Sequence, residues 1–219
     1  LGDHQIGIGL EVIKKMPVGT GMGSSAASAA AALVAANALL GDPFRKPDLL
    51  EFAVKGEKAA DGAVHADNVA PSLLGGFVLI RSLEPSDVIQ LPIPSDLYVA
   101  LLFPHITILT KEARGILSPY VDMKKFIQQT ANMGAVVAAL YRQDWELLRR
   151  SLIDVVIEPQ RAKLIPFLSE VKKAAYEAGA ITCSISGAGP AIFSLAQGIA
   201  QIQKIQDAIE VVMHDIKVP

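Results

Sequence analysis

The sequence predicts a protein of mixed helices and strands, arranged as two lobes of one chain. Near its start, a glycine-rich loop runs straight into an alanine-rich helix. Near its end, a hairpin pattern lies among segments with helical periodicity. Prolines concentrate between these parts, at Pro85 and at Pro92 and Pro94, which indicates a connection between lobes.

The composition indicates an ordered chain with a buried core. Hydrophobic residues make up 51% and charged residues 19% of the 219 positions, a balance that is not typical of disorder. The formal net charge is -2, with acids and bases interspersed, so we expect neither a nucleic-acid partner nor a membrane partner. This length suits one large domain or two small ones.

The chain has one cysteine, Cys183, which cannot form a disulfide within the chain and favours a reducing compartment. We see no signal peptide in these residues and expect a cytoplasmic protein. The chain begins at Leu1 without an initiator Met, and we expect it to be truncated there.

The elements follow from periodicity and from helix and turn signals. The alanine-rich helix is too short to span a bilayer, which needs about 20 apolar residues. A polar loop is predicted over residues 63–71. We expect strands at residues 6–13, 76–81, 88–90 and 97–103, a hairpin over 181–195, and helices at 25–40, 47–58, 111–117, 122–142, 145–153, 160–178 and 199–214.

The glycine loop has the form of an anion site. Gly19, Gly21 and Gly23 let the backbone turn and approach a ligand closely. Ser24 and Ser25 follow where a helix begins, at the positive end of its dipole. The sequence favours a nucleotide phosphate as ligand, with a ligand-free capping turn as the alternative. The loop lacks the lysine of a Walker A loop and the last glycine of a dinucleotide fingerprint.

Two further segments carry polar groups that could serve a site. Glu57 is predicted near a helix C-terminus, where its carboxylate opposes the dipole and suggests a cationic partner such as Mg²⁺. His65, Asp67 and Asn68 concentrate three polar groups in four residues. A solvated helix residue and a plain loop are the respective alternatives. No second His or Cys stands at zinc-ligand spacing.

Two arginines stand near predicted helix starts. Arg114 follows Thr110, for which a capping threonine with ordinary exposed charges is the alternative. Arg161 follows Pro159, and in a first helical turn its charge would call for an anionic partner. Gly187 and Gly189 leave the hairpin turn bare, either as a tight turn or for close approach to a ligand or to the first glycine loop.

Residues 17–27 resemble the phosphate loop of the GHMP kinases, and residues 186–190 resemble another motif of that family. Residues 65–71, 110–114 and 158–161 narrow the resemblance to its homoserine kinases. The resemblance implies a two-domain α+β GHMP kinase fold. Its N-terminal α/β lobe carries the phosphate loop, and its C-terminal lobe is a helix-covered antiparallel sheet. We expect the N-terminal, ATP-binding domain at residues 1–92 and the C-terminal domain at residues 93–219.

The resemblance also implies ATP-dependent, Mg²⁺-dependent phosphorylation of the side-chain hydroxyl of L-homoserine, a step toward threonine. Asn68 stands where related kinases have a catalytic Asp, and an amide cannot take the proton, so catalysis would rest on positioning and charge stabilisation. The implied site residues are Pro17, Val18, Gly19, Thr20, Gly21, Met22, Gly23, Ser24, Ser25, Ala26 and Ala27 for ATP; Ser25 (or Ser24) and Glu57 for the metal; His65, Asp67, Thr110, Arg114, Arg161, Gly187 and Gly189 for the substrate; and Asn68 and Arg161 for catalysis.

The sequence departs from the family pattern at three places. The family's first, Asn-containing motif is expected before Leu1, in roughly 70–80 further residues. The chain ends before an expected final strand, and Ala188 stands where Gly or Ser is common. The alternatives are a GHMP kinase for mevalonate or a sugar, and a non-catalytic binding homologue. A homodimer is compatible with the resemblance.

Overall fold

The computed structural model describes residues 7–17, 19–61, 66–84 and 86–216, without the side chains of residues 57–61 and 110. These residues fall into two compact units. The first takes the described residues up to Pro17 and those from Gly23 to Ile89. The second takes Gly19–Met22 and the described residues from Gln90 onward.

The first unit packs three helices against one another. Helix α1 spans Ser24–Leu39, α2 spans Lys46–Asp61 and α3 spans Ala66–Leu74. Helix α3 also contacts strand β1 (Phe77–Leu83), which neighbours β2 (Ser86–Leu91). Small side chains on α1 let the helices pack closely around a core formed by Ala26, Ala30, Leu49, Leu50, Ala53, Val69, Ala70 and Leu73.

Two predictions for this unit were wrong. Residues 7–13 do not form a strand, and the side chains of Leu10 and Ile13 are exposed. A strand needs a neighbour for its backbone N–H and C=O groups, and the described residues provide none here. Residues 66–71 form the start of α3 rather than a loop, with Pro71 inside the helix. Burial of Val69 and Ala70 outweighs the backbone hydrogen bond that Pro71 cannot donate.

The second unit contains a three-stranded antiparallel sheet. Its strands are β3 (Leu97–Leu102), β4 (Thr182–Ile185) and β5 (Ile192–Gln197), in the order β3-β5-β4. Strand β5 pairs with both neighbours, so that Leu195 lies opposite Val99 on one side and Thr182 on the other.

The described part of the second unit also contains six α-helices. They are α4 (Thr110–Gly115), α5 (Met123–Arg142), α6 (Trp145–Ser151), α7 (Glu158–Arg161), α8 (Leu168–Glu177) and α9 (Ile199–Asp215). Helices α8 and α9 pack on each other; α8 also contacts β4, and α9 contacts β3 and β5. The core between them includes Val171, Ile192 and Ile205. The predicted α+β fold with a helix-covered antiparallel sheet is confirmed, whereas the boundary at residue 92 stays a prediction.

The helix predicted over residues 160–178 is interrupted. Helix α7 ends at Arg161, a 3₁₀ turn covers Ala162–Leu164, and α8 begins at Leu168. Pro166 lies in the gap, and a proline disfavours helical geometry in the residue before it. Ile165 accordingly has φ -126° and ψ 85°. Within the described part of the chain, no helix is both long enough and apolar enough to cross a bilayer.

Cys183 should be unreactive in the folded protein. Its side chain is completely buried, and burial raises the pKa of its thiol, so little of the reactive thiolate forms at neutral pH. We expect a thiol reagent to label Cys183 about 100-fold or more slowly in native protein than in urea. Mass mapping of the labelled peptide measures both rates, and equal rates would contradict this burial.

Candidate functional site

The glycine loop and the hairpin turn meet through backbone atoms inside the second unit. The amide of Ala191 donates to the carbonyl oxygen of Thr20 at 3.1 Å. A Cβ added to Gly21 would lie 2.3 Å from the carbonyl oxygen of Ser186, and one added to Gly187 would lie 2.5 Å from that of Gly21. Both glycines are therefore required for this approach. Of the readings left open for the turn, contact with the first glycine loop is the one that the structure shows.

The glycines of the two motifs have different surroundings. A Cβ added to Gly19, which has φ +76°, would have no atom within 4 Å of it. One added to Gly189 would lie 3.2 Å from atoms of Ile165 and Ile185. The space beside Gly21, Gly187 and Gly189 is thus taken by protein atoms, whereas Gly19 is open. A substrate-binding role for Gly187 and Gly189 stays a prediction.

The N-terminus of α1, in the first unit, carries the positive end of the helix dipole, and no acidic side chain in the first turn of α1 neutralises it. Gly23 caps the helix in a left-handed conformation, with φ 73° and ψ 34°. Gly23 has no side chain with which to cap α1, and the first turn of α1 holds no acidic residue. The Ser24 hydroxyl donates backward to the carbonyl oxygen of Met16 at 3.4 Å. Such a helix start favours an anion.

Asn68 lies beside this helix start. It is half-buried on α3, and a Cβ added to Gly23 would lie 3.0 Å from its Oδ1. Asp67, next to it, is exposed in the first turn of α3. The structure thus places Asn68 next to Gly23, the glycine that precedes α1. Its side chain is an amide, which cannot accept a proton as a catalytic base would.

Arg161 binds two backbone carbonyl groups of the second unit. Its Nη1 donates to the oxygen of Gly187 at 2.6 Å, and its Nε donates to that of Ala113 at 3.3 Å. The expectation that it opposes a helix dipole was wrong, because α7 has only four residues and Arg161 lies in its last turn. A cation is favoured there. A guanidinium has more N–H donors than these two bonds use, so it can bind an anion as well.

For the other predicted site residues, the structure gives a position in the fold but fewer contacts. Arg114 is exposed in the last turn of α4, and Thr110 begins that helix. Ser25 stands in the first turn of α1. Val18, His65 and the side chains of Glu57 and Thr110 lie outside the described residues. Of the described His, Cys, Asp and Glu side chains, no three form a group that could hold a metal ion; Mg²⁺ bound to phosphates takes only one or two carboxylates.

The sequence interpretation missed Asp154, which accounts for the shape of the segment before Arg161. Its carboxylate accepts hydrogen bonds from the amides of Val156, Ile157 and Glu158 at 2.8, 2.8 and 3.0 Å. An Asp a few residues ahead of a Glu-Pro helix start is a capping signal that could have identified it.

Comparisons with known proteins agree with the resemblance. The family described as GHMP kinases N terminal domain matches residues 1–76, and GHMP kinases C terminal matches residues 136–214. A homoserine kinase of Chlorobium phaeobacteroides (strain BS1) is 48% identical over 98% of this chain and 67% of its own length. One of Xylella fastidiosa (strain M12) is 43% identical over 87% of this chain and 58% of its own length.

A solved structure extends this similarity to the fold. The crystal structure of homoserine kinase from Cytophaga hutchinsonii ATCC 33406 matches with a TM-score of 0.92 and 48% identity, over 94% of this chain and 65% of that one. Mevalonate kinase from L. major, in complex with R-mevalonate, matches with a TM-score of 0.67 at 16% identity, a likeness of fold alone. The chain spans 63% of the length of several other homoserine kinases that it matches.

The backbone contact predicts that Gly21→Ala destabilises the protein more than Gly19→Ala. Both positions have a left-handed φ, +81° and +76°, so the added Cβ costs each about 1–2 kcal/mol of backbone strain. At Gly21 it also meets backbone atoms, which should add about 1–3 kcal/mol. Urea unfolding measures the difference, and equal losses would contradict the contact.

Proposed function

The chain belongs to the homoserine kinases of the GHMP kinase family, and on that premise we propose that its protein transfers the γ-phosphoryl group of ATP to the side-chain hydroxyl of L-homoserine. The products are ADP and O-phospho-L-homoserine, and the reaction is a step toward threonine. The proposal concerns the full-length protein. The observation that supports it most is the glycine loop, which backbone contacts hold just before the start of α1, where Gly23 is the N-cap residue.

For the donor, we propose that residues 17–27 bind the triphosphate. The start of α1 supplies backbone N–H groups and a favourable dipole, and Gly19 leaves one side of the loop open. Ser25 and Glu57 would hold Mg²⁺ through oxygen atoms, the ligands that this ion prefers. When bound, Mg²⁺ neutralises charge on the transferring phosphates.

For the acceptor, each charged group of homoserine has a complementary side chain. The carboxylate of Asp67 suits the ammonium group, and the guanidinium groups of Arg114 and Arg161 suit the carboxylate, which they can bind through paired hydrogen bonds. We propose His65 and Thr110 as further substrate-binding residues.

Catalysis in this proposal needs no side-chain base. The Asn68 amide can orient a hydroxyl but cannot take its proton. The rate gain would come from alignment of the hydroxyl with the phosphorus atom and from positive charge, including that of Arg161. The proton would end on the transferred phosphate. A reducing, cytoplasmic location is compatible with the buried Cys183, and a homodimer stays a prediction.

Arg161→Leu in the full-length protein tests the anion role. Loss of a charge-assisted contact worth about 2–5 kcal/mol should lower kcat/KM for homoserine about 30- to several-thousand-fold. Arg149→Leu is the matched control, because Arg149 also donates to a backbone carbonyl of the second unit, that of Ala180 at 2.9 Å. Both variants should lose similar thermal stability. An Arg161 variant as active as the Arg149 variant would show that Arg161 is only structural.

Glu57→Gln tests the metal role, since it removes the charge that should attract Mg²⁺ while preserving the shape of the side chain. We expect a rise of about tenfold or more in the Mg²⁺ concentration that gives half the maximal rate. Glu51→Gln, on the same helix and paired with Lys55 at 2.7 Å, is the control and should leave that concentration unchanged. If both variants had the same dependence of rate on Mg²⁺ concentration, Glu57 would not be a metal ligand, and the alternative of a solvated helix residue would hold.

A further inference from the structure

Helix α7 is shaped by polar contacts rather than by burial. It has four residues, none of them buried, and its N-cap residue, Ile157, makes no side-chain capping bond. A single helical turn is not stable by itself, because nucleation costs more than one hydrogen bond returns. Contacts with residues outside α7 must therefore stabilise this helix, whose last residue is Arg161.

Asp154 supplies the missing cap. Its Oδ1 accepts from the amides of Val156 and Ile157, and its Oδ2 accepts from that of Glu158. One half-buried carboxylate thus bonds the backbone on both sides of the helix start. Charged acceptors make stronger hydrogen bonds to amides than neutral ones do, so this cap fixes the direction in which α7 leaves the preceding segment.

Neighbouring elements hold the same segment laterally. The Glu158 carboxylate pairs with Lys172 of α8 and accepts a hydrogen bond from Ser184 of β4, and its side chain is only 13% exposed. From α5, Gln129 accepts from the amide of Val155 at 2.9 Å, and Asn132 donates to the carbonyl of Ile153 at 2.9 Å. The Glu158 contacts hold the first residue of α7, and those of Gln129 and Asn132 hold the residues before it. Asp154 differs from them because its carboxylate bonds three consecutive amides.

We propose that Asp154 is a positioning residue for the reaction, which acts by fixing α7 so that the Arg161 guanidinium meets both the Gly187 carbonyl and an anionic group of the substrates. The proposal rests on the function proposed above for Arg161. Because α7 contributes no residue to the hydrophobic core, loss of this cap should misplace the guanidinium more than it weakens the core.

Asp154→Asn in the full-length protein is the first test. Asn retains one oxygen acceptor but puts an NH₂ group opposite the Glu158 amide. We expect kcat/KM for homoserine to fall about 10- to 100-fold, the size typical of a displaced reacting group. Asp144→Asn is the matched control, since Asp144 caps α6 of the same unit through the amide of Leu147 at 2.9 Å. It should lose comparable stability without losing kcat/KM.

A double-mutant cycle with Arg161→Leu decides whether Asp154 acts through Arg161. If it does, Asp154→Asn should cost nothing further in the Arg161→Leu background, because coupled sites are non-additive. Losses that multiply, or an Asp154→Asn variant with normal kcat/KM, would overturn the proposal. An active Arg161→Leu variant would overturn the role of Arg161 and, with it, the positioning role. Asp154→Ser, which retains a hydroxyl acceptor, replaces Asp154→Asn in the same cycle if that variant does not fold.

Discussion

The arrangement of the second unit depends on backbone packing against backbone at Gly21 and Gly187. With a methyl group at either position, the carbonyl groups of Ser186 and Gly21 would stand closer to a carbon atom than van der Waals radii permit. The contact holds the loop before α1 mainly through backbone atoms, joined by the Ser186 hydroxyl, which donates to the Gly21 carbonyl. A loop held in this way can present its remaining backbone groups, and the open side of Gly19, to a polyanion.

A line of hydrogen bonds leads from this contact to the segment before α7. Asp154 holds the start of α7, Arg161 at its end donates to the Gly187 carbonyl, and Gly187 belongs to the turn that holds the glycine loop. Arg161, which we propose binds the acceptor, therefore donates to the turn that contacts the glycine loop, which we propose binds the donor. The guanidinium donates to two backbone carbonyl groups and has further N–H donors, so it is already held in place for the anion that we propose it binds.

Local chemistry predicted the positions of most elements, and long-range packing decided the rest. The spacing of glycine and serine predicted the start of α1 to within one residue. This was possible because the residues that determine a helix start are neighbours in sequence. The start of α3 was mistaken for a loop, since its stability comes from Val69 and Ala70 buried against other helices. Pro166 was overlooked as a helix breaker, and this error reversed the expected dipole environment of Arg161. The contact of Gly21 with Ser186 could be stated only as one alternative, because spacing along the chain does not show which segments meet.

The contact of the glycine loop with the hairpin turn also bears on the order in which the protein assembles. Gly21 and Ser186, which donates its hydroxyl hydrogen to the Gly21 carbonyl, are 165 positions apart in sequence. Such distant pairs close late, because ordering the intervening chain costs entropy before the contact forms. On a ribosome, the loop is made before the hairpin turn and has no contact with it until β4 and β5 have been synthesised. The nascent chain therefore acquires a shaped loop only after the hairpin turn has been made, and a fragment that stops before β4 has the loop sequence without the contact that holds it.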